Sequence, residues 1–140
     1  MPIEFHSLIP SFKLKNTKKL SEFIQLLAYS EEHEIGDLHY IFCTDSYLLN
    51  LNKQYLKHNT LTDIITFDYC VNDEVSGDVF ISIDRVKENA STFKQSFEKE
   101  LHRVLFHGVL HLCGYKDKLP AHKKVMRSKE EFYLNLWESR

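Results

Sequence analysis

Residues 107–117 read HGVLHLCGYKD, with histidines at 107 and 111, glycines at 108 and 114 and an aspartate at 117. Apolar residues at 101, 104, 105, 109, 110 and 112 predict a mostly buried helix through this stretch. Side chains four apart stack on one helix face, so the two imidazoles can address one point, as in helical zinc sites. With eight histidines in 140 residues, chance supplies roughly half such a pair, so the spacing gains weight only from its surroundings. A glycine inside a helix costs about 1 kcal/mol relative to alanine, so a close neighbour of Gly108 is expected. Gly114 is predicted as the left-handed residue beyond the helix end. It turns residues 115–118 back towards the imidazoles, and among these only Asp117 is a natural ligand.

His107, His111 and Asp117 would leave a fourth coordination position for water, the arrangement of a catalytic zinc site. Such an ion lowers the pKa of its water to about 7 and polarises a phosphoryl or carbonyl oxygen, which suits hydrolysis of a phosphodiester or an amide. Zinc peptidases place a glutamate directly after the first histidine; here that residue is Gly108, which disfavours a peptidase. Glu100, two turns upstream, is too distant to be a ligand and reads as a solvated or outlying charge. His122 is an alternative third ligand, Cys113 reads as a buried thiol, and His102 as a core or surface histidine. Asp63 and Asp78 read as strand-end caps or substrate-facing acids, and Tyr115 as a packing residue. Lys116, Lys118, Lys123, Lys124, Arg127 and Lys129 crowd the residues after Gly114 and form a local surface for phosphate.

Several elements must position these groups. Ile3–His6 reads as a short strand, and Thr17–Glu31 as a helix with Leu20, Phe23, Ile24, Leu27 and Ala28 inward and Asn16 or Thr17 as cap. Gly36-Asp37 reads as a break, followed by a strand over 38–43. A helix capped by Asp45 or Ser46 should run to about His58. DIITFDYC (63–70) and DVFISI (78–83) read as a hairpin across the VNDEVSG turn. Helices to about Phe97, from there to Cys113, and from Pro120 to Trp137 complete the chain. The predicted class is α+β (α/β-like): a small mixed sheet of about four strands with helices packed on it, and a metal site on a helix and the following loop.

The composition fits one globular domain over residues 1–140, with 43% hydrophobic and 27% charged residues. A net charge of −2 gives no global attraction to nucleic acid, so an anionic partner must be read by a local patch. Three cysteines without a CxxC pair argue against a disulfide framework and for a reducing compartment. Neither a signal peptide nor an apolar run of membrane-spanning length is present, so a cytoplasmic location without membrane association is expected.

HGVLHLCGYKD resembles the signature of the YbeY family, bacterial endoribonucleases of ribosomal RNA maturation with a zinc site, usually written H-G-x-L-H-L-x-G-Y-D-H. LNKQYLKHNTLTDIITF (51–67) is similar to the family's L-N-x-x-Y-R-x-K-D-x-P-T-D-V-L-S-F segment, and GDVFIS (77–82) to its G-D-I-x-I-S strand. The resemblance covers about residues 45–117. It places His107 and His111 on the first two ligands and aligns Asp117 with the third, usually a histidine. Leu56 stands where the family usually has an arginine assigned to catalysis, and Lys57 is the neighbouring cation. The resemblance implies one Zn2+ per chain held by His107, His111 and Asp117, and ribosomal RNA and the ribosome as partners, with no DNA expected. The implied chemistry is hydrolysis of RNA phosphodiester bonds, with His107, His111, Asp117 and Lys57 catalytic and Lys116, Lys118, Lys123, Lys124 and Arg127 binding RNA. Two other readings are a ribosome- or RNA-binding factor with a structural metal and no catalysis, and a peptidase-like metal-dependent hydrolase of another substrate.

Overall fold

Alternating apolar and polar residues, as in Ile3-Glu4-Phe5-His6 and Leu38-His39-Tyr40, give these strands an inner and an outer face. In the computed structural model, which describes residues 2–57 and 60–140, four strands form one sheet. They are β1 (Ile3–Ser7), β2 (Glu34–Cys43), β3 (Ile64–Asp68) and β4 (Glu74–Ser82). Their order is β1-β2-β4-β3. β1 and β4 run parallel to β2, while β3 pairs antiparallel with β4 as the expected hairpin. The helices are α1 (Thr17–Ser30), α2 (Asp45–Leu51), α3 (Ile83–Thr92), α4 (Phe97–Leu112) and α5 (Pro120–Glu138). This is the mixed-sheet α+β class expected.

The inner face, with Leu38, Tyr40, Phe42, Val79 and Ile81 fully buried, joins α1 and α4 in the main core. α4 packs on β3 and β4 and also contacts α1, α3 and α5. That central position accounts for the burial of Leu101, Val104, Leu105, Phe106, Val109 and Leu110 along the helix. Tyr40 is buried to zero exposure and donates its hydroxyl to the Leu105 carbonyl of α4 at 2.8 Å, so this buried polar atom is satisfied. On the outer face, α2 contributes to a smaller cluster of Cys43, Leu48 and Ile65.

Four local expectations are corrected. Gly36-Asp37 does not break the chain; β2 runs through it with a register shift between Ile35 and Leu38, a β-bulge. The cap of α2 is Thr44, whose hydroxyl accepts the Tyr47 N–H at 3.2 Å, rather than Asp45 or Ser46. α2 does not continue as α-helix: a π turn over Asn52–Leu56 follows and ends at Lys57, which has φ 55°. The expected end at His58 lies outside the described residues. Finally, α3 stops at Thr92, with Lys94 left-handed at φ 55°, and Ser96 then caps α4 by accepting the Lys99 N–H at 3.1 Å.

Candidate active site

Gly108 faces the sheet. A Cβ there would stand 3.0 Å from Val79 Cγ1 and 3.2 Å from Ile64 Cδ1, so the glycine lets α4 approach the β3–β4 hairpin. The helix ends in a Schellman arrangement. Gly114, at φ 109°, donates its N–H to the His111 carbonyl at 3.0 Å, and the Tyr115 N–H reaches Leu110 at 3.2 Å. The chain reverses as expected, and Asp117 Oδ2 comes to 3.2 Å from His107 Nε2.

The other ring nitrogen of His107 has a partner that sequence reasoning missed. Its Nδ1–H donates to Glu130 Oε2 of α5 at 2.6 Å. Because an ionised carboxylate only accepts, this bond fixes the tautomer and leaves Nε2 facing Asp117. Glu130 is 2% exposed and also accepts from Arg103 Nη1 at 2.9 Å, while Arg103 Nη2 reaches Glu100 at 2.5 Å. Burial opposes the charge on His107, but the Glu130 hydrogen bond and the charges of Glu130, Asp117 and Asp63 outweigh it and raise its pKa. For Glu130 burial is likewise overcome, by His107 and Arg103, and its pKa falls. Asp63 stands 3.8 Å from Arg103, and burial prevails there, raising its pKa.

Glu100 is therefore neither a ligand nor solvated; it is 2% exposed and paired with Arg103. The sequence signal for this network was the stripe Glu100, Arg103 and His107 along one face of α4. Glu130, from another helix, gave none.

His107, His111, Asp117 and Lys118 line one cavity of about 410 Å³ together with Asn52, Leu56, Thr60, Thr62, Ile64, Ile65 and Thr66. Its wall includes the sheet's edge strand β3, the π turn and the α4–α5 loop. Asn52 is 4% exposed and ties the loop to the turn by donating from Nδ2 to the Thr60 carbonyl at 2.8 Å. His111 Nδ1 is buried without a hydrogen-bond partner.

The donor set fits a divalent ion in part. Two ligands about 2.0–2.1 Å from a tetrahedral ion stand about 3.3 Å apart, close to the His107–Asp117 separation. His111 shares the cavity, but the three donor atoms are not all within 4.8 Å of one another; among the described residues only Glu4, His6 and His39 form such a group.

The other candidates are not brought to this point. Lys57 is exposed at the end of the π turn, and its neighbour Leu56, not Lys57, lines the cavity. Lys116, Lys123, Lys124 and Arg127 are exposed outside the lining, and His122, in the first turn of α5, is also absent from it. Lys129 pairs with Glu31 at 3.1 Å, and that carboxylate also accepts from the hydroxyls of Tyr115 and Tyr133. Tyr115 thus packs, as expected. Cys113 is half-buried, with burial pushing its thiol up to about 12. His102 lies edge-on to Trp137, with burial lowering its pKa. Asp78 is in register with His39 on β2 and Phe67 on β3, and is not part of the cavity lining. A larger depression of about 920 Å³ is lined by Glu32, Glu34, Asp73 and Glu74 among others; such carboxylates repel a phosphodiester.

Comparison with known proteins supplies the family. The family model of endoribonuclease YbeY matches residues 7–138. The chain belongs to the YbeY family. Among similar relatives, the endoribonuclease YbeY of Flavobacterium psychrophilum is 51% identical over 126 residues, covering 90% of each chain. That of Flavobacterium johnsoniae is 52% identical over 120 residues, covering 86% of each. The solution structure of a Thermotoga maritima protein has 29% identity and a TM-score of 0.65, with 98% of this chain and 92% of that one covered. The YbeY match thus runs from the end of β1 into α5 and includes the 107–117 motif.

Proposed function

We propose that residues 1–140 form one domain that acts as a metal-dependent endoribonuclease in ribosomal RNA maturation, with the ribosome as its site of action and the cytoplasm as its location. The reading rests above all on the His107–Asp117 pair at the cavity wall, oriented from behind by the buried carboxylate of Glu130. A carboxylate on the far nitrogen is the habitual support of a ligating histidine. One Zn2+ held by His107, Asp117 and His111 would supply a Lewis acid and activated water at neutral pH.

The chain's own groups do the rest. Glu130 keeps the proton on Nδ1 and Arg103 offsets the charge of Glu100 and Glu130. Thr60, Thr62, Thr66 and Lys118 offer hydroxyl and ammonium donors around the cavity for phosphate oxygens. Lys116, Lys123, Lys124 and Arg127 extend the cationic surface beyond it, and Lys57 follows directly on Leu56, where the family's arginine usually stands.

Two rivals are weaker. A peptidase needs a general base, and Glu100 is tied to Arg103 while Gly108 follows the first histidine. A structural metal needs a fourth protein ligand, and the described lining holds no cysteine or additional histidine. The test is cleavage of single-stranded RNA by metal-loaded protein against Asp117→Ala. Loss of cleavage in the variant is expected; equal rates would favour an RNA-binding factor without catalysis.

A further inference from the structure

A second cluster of metal-binding side chains stands at the opposite edge of the sheet from the cavity. Glu4 and His6 are two apart on β1 and so share its outer face, and Glu4 is in register with His39 on β2. Ile3, Phe5, Leu38 and Tyr40 alternate with them on the inner face and belong to or pack against the core. Glu4 and His6 are exposed and His39 half-buried, and one donor atom from each lies within 4.8 Å of the others. His6 Nε2 is 3.0 Å from His39 Nδ1, with the two rings stacked at a centroid distance of 5.2 Å. Glu4 Oε2 is 3.9 Å from the same His39 nitrogen.

A further contact separates this cluster from a chance meeting of histidines. His39 donates its Nε2–H to Asp37 Oδ1 at 2.8 Å. The carboxylate cannot donate, so the proton of neutral His39 is on Nε2, and the Nδ1 lone pair points to where His6 and Glu4 converge. A carboxylate holding the far nitrogen of a histidine fixes ring and tautomer in metal sites. Asp37 is itself anchored at the β2 bulge, where its backbone N–H donates to Ser76 Oγ at 3.0 Å. The His6–His39 separation is also close to the roughly 3.3 Å expected between two nitrogens on one tetrahedral ion.

We propose that Glu4, His6 and His39, with Asp37 orienting His39, form a binding site for a divalent first-row transition ion of the zinc, cobalt, nickel or copper class. Two imidazoles and one carboxylate disfavour calcium and magnesium, which take oxygen ligands. Three protein donors on an exposed sheet face leave a coordination position for solvent or an outside ligand. The site is independent of the cavity, since β1 and β3 are the two edges of the sheet.

The test is a titration of tag-free 15N-labelled protein with Zn2+, following imidazole nitrogens by long-range proton–nitrogen correlation, which reads each histidine separately. The expected result is a shift of His39 Nδ1 and His6 Nε2 that saturates at one ion for this site, whatever His107 and His111 do. His6→Gln and His39→Gln abolish that response at unchanged circular dichroism, and Asp37→Ala weakens it by about tenfold or more. His6 and His39 signals that stay in place under excess Zn2+ would overturn the site. So would a His39→Gln variant in which His6 responds as in the wild type.

Discussion

Glu130→Gln isolates the contribution of the buried carboxylate while keeping its shape. Glu130 accepts two charge-assisted hydrogen bonds, from His107 Nδ1 at 2.6 Å and from Arg103 Nη1 at 2.9 Å. Glutamine offers one oxygen and one NH2 group, so one of the two donors faces another donor unless the His107 ring changes tautomer. Losing a hydrogen bond to a charged group costs about 1.5–3 kcal/mol, which for a domain of this size lowers Tm by roughly 5–10 °C. If the amide oxygen stays with Arg103, the NH2 group meets His107 Nδ1, and the ring proton moves to Nε2, the atom facing Asp117. Metal affinity at the cavity should then fall by about 10–100-fold. Competition with a chromophoric chelator, following His107 and His111 by imidazole NMR, reads the affinity, and the same spectra read the tautomer. A variant that melts lower but binds metal at the cavity with wild-type affinity would refute the orienting role and leave Glu130 a purely structural residue.

Gly108→Val should destabilise the fold by about 1–3 kcal/mol through overpacking against Val79 and Ile64, read by urea denaturation. Glu31→Gln weakens the bonds from Tyr115, Tyr133 and Lys129 and should cost about 1.5–3 kcal/mol at pH 7. Burial raises the Glu31 pKa, but those partners more than offset it, leaving it below the ordinary 4.5. A lowered folded-state pKa gives stability that is present above the unfolded value and lost as pH falls through the folded one. The gap between wild type and variant should therefore narrow as pH falls below 4.5 and through the lowered folded-state value, and a gap that stays constant down to the acid transition would contradict the assignment. Lys118→Ala should weaken single-stranded RNA binding and reduce its logarithmic salt slope by about 0.7; Lys124→Ala, outside the cavity, should affect cleavage less. His107→Ala should leave a folded protein that has lost metal at the cavity, checked by circular dichroism and elemental analysis.

Much of the frame was legible because it follows from periodicity. α1 and α5 and the β3–β4 hairpin lie where apolar spacing and turn residues placed them, and α4 carries Gly108 and Gly114 in the roles their spacing implied. What escaped depends on contacts distant in sequence. The Gly36-Asp37 pair reads as a break on local propensity, yet pairing with β4 on both sides of it carries the strand through as a bulge. The π turn at Asn52 accompanies a tertiary bond from that side chain to Thr60. Glu130 is an unremarkable acid within a charged helix until α5 packs against α4 and buries it beside Arg103 and His107. The cluster at Glu4, His6 and His39 likewise exists only through the β1–β2 register.

Anomalous diffraction from zinc-loaded crystals, measured on both sides of the zinc absorption edge, tests the central claim most directly. The account predicts a peak in the cavity bonded to His107 Nε2, Asp117 and His111, with Glu130 still on the far side of the His107 ring. A fully loaded crystal with zinc elsewhere and none between His107 and Asp117 would contradict it.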